Sequence, residues 1–129
     1  MTGTTATNRF VIDSSGWLEH ITEDAKADLY SPYFKGDKIL LVPTIVIYEV
    51  RKILLRKHSQ MIADIFVSEA LRQVVVPLDE QIALDAASLS LRHQLAMADA
   101  IVYTTALRQK ATLIASDDHF QNLPEVVLL

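Results

Sequence analysis

The sequence contains no cysteine, only three glycines among 129 residues, and no long apolar run. The absence of cysteine excludes disulfide bonds, thiolate zinc sites and cysteine nucleophiles. The longest apolar run, residues 39–48, is interrupted by Pro43 and is well short of the ~18 residues that a membrane span requires. The low glycine content, and the fact that half of the residues are apolar, indicate a well-packed core. We therefore expect a soluble globular protein with no membrane segment.

Positive charge is also scarce, since 12 Lys and Arg stand against 16 Asp and Glu, for a net charge of −4. This balance argues against a general nucleic-acid coat but is compatible with a nuclease, whose site is itself acidic. The chain has the length of a single domain, residues 1–129. Residues 1–8 are small and polar, so we expect them to be flexible and not to form a secretory signal. A cytoplasmic location is the simplest expectation.

Short apolar runs alternate with segments of helical period along the chain. Strands are predicted at 9–13, 38–42, 74–77, 112–115 and 126–128. A turn or short helix is predicted at 15–18, and helices at 25–34, 44–57, 59–71, 79–93 and 98–109, with Thr44 and Asp79 as N-caps. Segment 44–57 is rich in strand-forming residues, but the spacing of its apolar residues favours a helix. These residues are Val46, Val50, Ile53 and Leu54. Strands separated by helices predict an α/β fold whose parallel sheet is covered on both faces.

Four acidic residues lie inside or directly after apolar segments: Asp13, Glu49, Asp99 and Asp117. A carboxylate taken out of water is costly unless it is paired, hydrogen-bonded or bound to a metal, and no matching set of embedded Lys or Arg accompanies these four. Ligands of parallel sheets bind outside the carboxyl ends of the strands, where Asp13 and Asp117 are predicted to lie. Together the four would form an all-oxygen site, which selects Mg²⁺ or Mn²⁺ over zinc.

Each acid also has a purely structural interpretation. Asp13 could cap the following helix, and Glu49 could form a surface ion pair with Lys52. Asp99 could lie in the first turn of a helix, where the helix dipole tolerates an anion. Asp117 could serve in a turn or as a cap. These alternatives stay open at the level of the sequence.

Several other side chains are weaker candidates. Ser15 could hydrogen-bond a neighbouring carboxylate or a bound water. His119 could be a metal ligand or a general base, although an exposed loop histidine is the commoner outcome. One basic cluster is either a solvated helix face or a phosphate-positioning surface, and one aromatic set is expected in the core or an interface. The basic cluster is Arg51, Lys52, Arg56, Lys57 and His58, and the aromatic set is Trp17, Tyr30, Tyr33 and Phe34.

Four segments, in this order and at this spacing, resemble the PIN-domain ribonucleases, particularly the VapC-type toxins of toxin–antitoxin pairs. The resemblance spans residues 10–128. The segments are Val11-Ile12-Asp13-Ser14-Ser15, Ile47-Tyr48-Glu49-Val50, the stretch from Ala98-Asp99-Ala100 to Leu107, and the stretch from Leu113 to Phe120 with Leu123-Pro124 after it.

The resemblance implies a three-layer α/β/α PIN-like domain with a central, mainly parallel sheet of four to five strands. It implies Asp13, Glu49, Asp99 and Asp117 as the carboxylates of a Mg²⁺ or Mn²⁺ site. The implied activity is endoribonuclease cleavage by metal-activated water, with a structured RNA, often transfer RNA, as substrate. A homodimer and a small protein antitoxin that blocks the site are the implied partners.

The sequence departs from the family pattern at one position. The family usually has Thr two residues before the last acid, whereas this chain has Ala115, with Ser116 beside it. The missing hydroxyl affects the support of Asp117, for which Asp118 is a possible substitute ligand. A non-catalytic PIN-like binding or scaffold domain is therefore the alternative function. A phosphoryl-transfer domain is disfavoured, because Asp13 lacks a second acid nearby.

Overall fold

Five parallel strands form one sheet in the order β3-β2-β1-β4-β5. The structure, a computed structural model, describes residues 8–129. The predicted flexible start therefore lies outside the described residues except for Asn8, whose side-chain amide donates to the Asp37 carbonyl at 3.3 Å. The strands are β1 (Arg9–Ile12), β2 (Ile39–Pro43), β3 (Val74–Val76), β4 (Thr112–Ala115) and β5 (Val126–Leu128).

Six helices connect and cover the strands, and the predicted three-layer α/β/α architecture is confirmed. Within residues 8–129, no helix combines the length and apolar character needed to cross a membrane. The helices are α1 (Ser14–Thr22), α2 (Ala27–Phe34), α3 (Thr44–Lys57), α4 (Gln60–Leu71), α5 (Glu80–His93) and α6 (Met97–Arg108), followed by a short 3₁₀ helix, Asp118–Phe120.

The segment 15–18, expected to open a turn or short helix, lies in the nine-residue helix α1, whose first turn the Asp13 side chain caps. One local prediction was wrong. Thr44 is not an N-cap: Pro43 occupies that position in an extended conformation, with no side-chain cap bond. The Thr44 hydroxyl instead accepts a hydrogen bond of 3.2 Å from the Leu78 N–H. The Asp79 cap of α5 is confirmed, since its carboxylate accepts from the Ile82 N–H at 2.8 Å.

The core is formed by the strands and by the buried faces of all six helices. On α3 three residues of the predicted stripe, Val46, Val50 and Leu54, are fully buried, whereas Ile53 is half-buried. The helix is confirmed over the strand alternative. Helix α6 is buried along every residue from 100 to 106, as expected of a helix that is surrounded by other elements. This central helix carries Asp99 in its first turn.

The chain changes direction across the sheet between β1 and β4. From β1 it continues to β2 and β3 on one side, whereas β4 and β5 extend the sheet on the other side. The Asp13 N–H donates to the Ile114 carbonyl at 3.0 Å, so the ends of β1 and β4 are held in register. Such a switch point leaves a crevice at the carboxyl ends of the two strands, which is where ligands of open α/β sheets bind.

Candidate metal centre

A cleft of about 180 Å³ opens at this switch point. The structure brings all four predicted acids into its wall, although they come from separate parts of the chain. The lining residues are Asp13, Ser14, Ser15, Leu18, Glu49, Ile53, Asp99, Val102, Asp117 and Phe120.

Asp13 is the most buried of the four acids, with 5% of its surface exposed. Its Oδ1 accepts a hydrogen bond from the Gly16 N–H at 2.8 Å and one from the Tyr30 hydroxyl at 3.0 Å. Burial, together with a smaller effect of the Asp117 charge, raises the pKa of Asp13 to about 6, against the lowering effect of these hydrogen bonds. The N-cap interpretation of Asp13 is therefore correct, and the same carboxylate also lines the cleft.

Tyr30 and Gly16 support Asp13 in a way that the sequence did not reveal. Tyr30 is fully buried on α2, and its hydroxyl also lies 2.9 Å from Ser116 Oγ. A Cβ at position 16 would lie 2.4 Å from Tyr30 Cε1 and 2.5 Å from Ile12 Cγ2. Only glycine lets the Tyr30 ring approach this closely. The sequence offered one signal of this close contact: one of the three glycines of the chain lies three residues after Asp13.

Glu49 lies on α3 and is held by α1 rather than by its neighbour Lys52. The Ser14 hydroxyl donates to Glu49 Oε1 at 2.7 Å. The Lys52 ammonium instead donates to Tyr48 Oη at 3.5 Å and lies 5.6 Å from the centre of the Tyr48 ring. The structure thus supplies Glu49 with a partner inside the cleft.

Asp99 and Asp117 face each other across the cleft from α6 and from the loop after β4. Burial raises the pKa of Asp99, the nearby charge of Asp117 raises it further, and His119 opposes the rise. Asp117 caps the 3₁₀ helix, since its Oδ1 accepts from the His119 N–H at 2.9 Å. A carboxylate whose pKa is raised by a neighbouring carboxylate is held in an unfavourable arrangement until a cation neutralises their charges.

The donor set fits a divalent cation. One ligand atom each from Asp99, Asp117 and His119 can be chosen so that all three lie within 4.8 Å of one another. The His119 Nδ1 lies 3.2 Å from Asp117 Oδ1 and 3.5 Å from Asp99 Oδ2. Asp13 and Glu49 line the same cleft and add negative charge beside this group. Asp118, the predicted substitute ligand, is exposed and is not among the lining residues.

The remaining candidates lie in different surroundings. Ser15 lines the cleft and is exposed, whereas the Ser116 hydroxyl is hydrogen-bonded with Tyr30. Arg51 forms an exposed ion pair of 2.9 Å with Asp64 on α4. Arg51 and Lys52 line a separate, shallow groove along α3, so these two basic side chains lie beside the carboxylate cleft rather than in its wall.

Comparison with known proteins gives the family. The model of the PIN domain family matches residues 10–126, which is nearly the whole chain. The protein therefore belongs to the PIN domain family. A comparison with curated proteins found no significant match.

Solved structures share the fold at low sequence identity. A toxin–antitoxin complex from Klebsiella pneumoniae has a TM-score of 0.75 and 18% identity, covering 91% of this chain and 94% of the other. VapBC2 from Rickettsia felis, bound to a promoter DNA fragment, has a TM-score of 0.72 and 12% identity, with coverage of 94% and 97%. VapC20 from Mycobacterium tuberculosis, a toxin that cleaves the sarcin–ricin loop, has a TM-score of 0.73 and 16% identity, with coverage of 86% and 92%.

Proposed function

We propose that this protein is a Mg²⁺- or Mn²⁺-dependent endoribonuclease and the toxin of a toxin–antitoxin pair. One observation carries the proposal: four carboxylates from four separate segments of the chain line a single cleft at the switch point of the sheet. Carboxylates gathered in this way repel one another and need a cation, and the oxygen-rich donor set suits a hard divalent ion.

The residues of the cleft have distinct parts in the proposed reaction. Asp99 and Asp117 bind the ion, and Asp13 and Glu49 complete its environment directly or through water. When bound, the ion supplies a water of lowered pKa and neutralises the charge that develops on the phosphodiester. The fixed hydrogen bonds of Asp13 and the Ser14 contact of Glu49 hold these carboxylates in place before substrate arrives. Such pre-positioning lowers the cost of reaching the reactive geometry.

RNA is the proposed substrate. Arg51, Lys52 and Arg56 follow Glu49 on α3, and we assign to them contacts with backbone phosphates, which position a nucleic acid without reading its sequence. The description of VapC20 as a toxin that cleaves the sarcin–ricin loop supports a structured RNA as target. Transfer RNA is a second candidate of the same kind.

A small protein antitoxin and a second copy of the chain are the proposed partners, in the cytoplasm. The Klebsiella pneumoniae and Rickettsia felis structures, which are toxin–antitoxin assemblies, support an antitoxin. Exposed apolar side chains on α5 and at the start of α6 support a protein-binding surface, because Leu84, Leu91 and Met97 are 66%, 85% and 72% exposed.

The test is cleavage of a pool of small structured RNAs with Mn²⁺, with Mg²⁺ and with a chelator. Wild type is compared with Asp99→Asn and with Asp37→Asn, which makes the same change at an exposed position before β2. We expect metal-dependent cleavage that Asp99→Asn loses and Asp37→Asn keeps, with folding checked by circular dichroism. Equal cleavage by wild type and Asp99→Asn, in independent preparations, would contradict the proposal. No cleavage and no stabilisation by Mn²⁺ would identify a scaffold domain instead.

A further inference from the structure

The imidazole of His119 lies at the mouth of the cleft, between two carboxylates from different elements. Its Nδ1 is 3.2 Å from Asp117 Oδ1 and 3.5 Å from Asp99 Oδ2, while 67% of the side chain is exposed. The backbone fixes this position, since the His119 N–H donates to Asp117 Oδ1 at 2.9 Å in the 3₁₀ helix. The ring is therefore held over the two acids by the same turn that presents Asp117.

His119 differs in this respect from the other histidines. The His20 ring is stacked on Phe34 and lies 2.7 Å from Glu69 Oε1. His93 packs edge-on against Tyr103, and His58 is exposed at the end of α3. Within residues 8–129, His119 is the histidine that joins Asp99 and Asp117 as a possible ligand group.

We propose that His119 is a nitrogen ligand of the metal centre and makes it prefer first-row transition-metal ions to Mg²⁺. This inference rests on the proposed function and adds the ion preference of its metal centre. Mg²⁺ demands an octahedral shell of oxygen ligands. Imidazole nitrogen is a good ligand for transition-metal ions, and the affinity of a site for these ions rises from Mn²⁺ to Cu²⁺. Replacing one oxygen position by Nδ1 therefore favours Mn²⁺ over Mg²⁺.

A different role for His119 predicts the opposite behaviour. If the ring only occupied the place of the cation, as a counter-charge to Asp99 and Asp117, it would have to leave before an ion could bind. Its removal would then tighten the binding of Mn²⁺ and Mg²⁺ alike. If the ring is a ligand, its removal weakens Mn²⁺ binding and leaves Mg²⁺ binding much less changed.

The experiment is a Mn²⁺ titration followed by electron paramagnetic resonance, with Mg²⁺ measured by competition. Wild type is compared with His119→Ala, with His119→Gln, which offers an amide oxygen, and with His58→Ala as an exposed control. We expect both position-119 variants to lose Mn²⁺ affinity by about tenfold or more, as loss of metal-site partners generally does. Mg²⁺ affinity should change far less, and His58→Ala should match wild type.

Spin-echo modulation from a coordinated ¹⁴N gives a readout that does not depend on activity. We expect this signal in Mn²⁺-loaded wild type and in His58→Ala, and its loss in both position-119 variants. Bound Mn²⁺ without a nitrogen signal in wild type, or equal changes in the affinities for Mn²⁺ and Mg²⁺, would overturn the assignment of His119 alone. A wild-type protein that binds neither ion would overturn the proposed metal-dependent function as well.

Discussion

The Tyr30 hydroxyl donates a hydrogen bond of 3.0 Å to Asp13 Oδ1 and thereby ties α2 to the N-cap of α1. Both side chains are buried, so the bond forms away from water, where hydrogen bonds are electrostatically strong. The role of Tyr30 therefore goes beyond packing in the core, although Tyr30 does not bind the proposed metal ion. The hydrogen bond from Tyr30 favours the charged form of Asp13, whereas burial favours the neutral form.

Replacing Tyr30 by Phe should raise the pKa of Asp13 above its value of about 6, because a hydrogen bond that lowers this pKa is removed. The metal-free protein should lose about 1.5–3 kcal/mol of stability above pH 7, as expected for a hydrogen bond to a charged group. Carboxyl-carbon NMR titration and urea unfolding test the two effects. Tyr33→Phe, on the same helix, is the control and should change neither quantity. An unchanged titration of Asp13 in Tyr30→Phe would refute the role given to this bond.

Replacing Gly16 by Ala should destabilise the protein even though alanine is the better helix former. The helix preference would contribute about 1 kcal/mol of stabilisation. The new Cβ, however, would lie within 2.4–2.7 Å of Tyr30 and Ile12 side-chain atoms, and overpacking of this kind typically costs about 1–3 kcal/mol. We expect a net loss of stability in urea unfolding. Ser15→Ala, one residue earlier and exposed, should be close to neutral, and a Gly16→Ala protein as stable as wild type would show that the ring can shift freely.

The fold was predictable because its signals are local. Apolar runs and helical spacing indicate each strand and helix, and their alternation predicts the parallel sheet. The helix at 44–57 could be recognised, despite its strand-forming residues, from the spacing of Val46, Val50 and Leu54. The start of that helix was predicted wrongly, because Thr44 has another partner in the Leu78 N–H, 34 residues away. Caps depend on the backbone geometry of the folded chain, which residue type alone does not determine.

The acids of the candidate site could be predicted from the sequence, but the residues that contact and position these acids could not. Acidic residues within apolar segments are conspicuous in a sequence, and the structure places all four in one cleft. The contact between Tyr30 and Asp13 joins residues 17 positions apart on different elements, and that between Tyr30 and Ser116 spans 86 positions. The position of His119 beside Asp99 likewise depends on the packing of the 3₁₀ helix near α6. Such proximity is a property of the tertiary structure.

Replacing Ser14 by Ala should reduce the proposed RNA cleavage more than it reduces stability. The Ser14 hydroxyl donates to Glu49 at 2.7 Å and orients this carboxylate in the cleft. Unlike the Tyr30–Asp13 bond, this bond is only partly buried, so its loss should cost about 1 kcal/mol or less in stability. The loss in Mn²⁺ affinity or activity should be about tenfold or more. Ser88→Ala, on the exposed face of α5, should leave both unchanged. Full Mn²⁺ affinity and activity in Ser14→Ala would show that Glu49 needs no such support.

Replacing Asp13 by Asn should stabilise the metal-free protein near neutral pH, although it should abolish the proposed activity. Asn keeps an oxygen that accepts the Gly16 and Tyr30 hydrogen bonds but has no charge to bury. In wild type the folded-state pKa of Asp13 is raised from 3.8 to about 6. Its contribution to stability is therefore fully present below pH 4 and is lost as the pH rises through about 6.

The difference in free energy of unfolding between Asp13→Asn and wild type should consequently be small at pH 4 and grow to about 3 kcal/mol by pH 7 to 8, at about 1.4 kcal/mol per unit of pKa. Urea unfolding in chelator from pH 4 to pH 8 measures it, with Asp37→Asn as the exposed control. Saturating Mn²⁺ should reverse the sign at pH 7 to 8, because an ion bound by native wild type stabilises it. A difference that is independent of pH in chelator would mean that Asp13 is ionised in the folded protein without the cost that its burial implies.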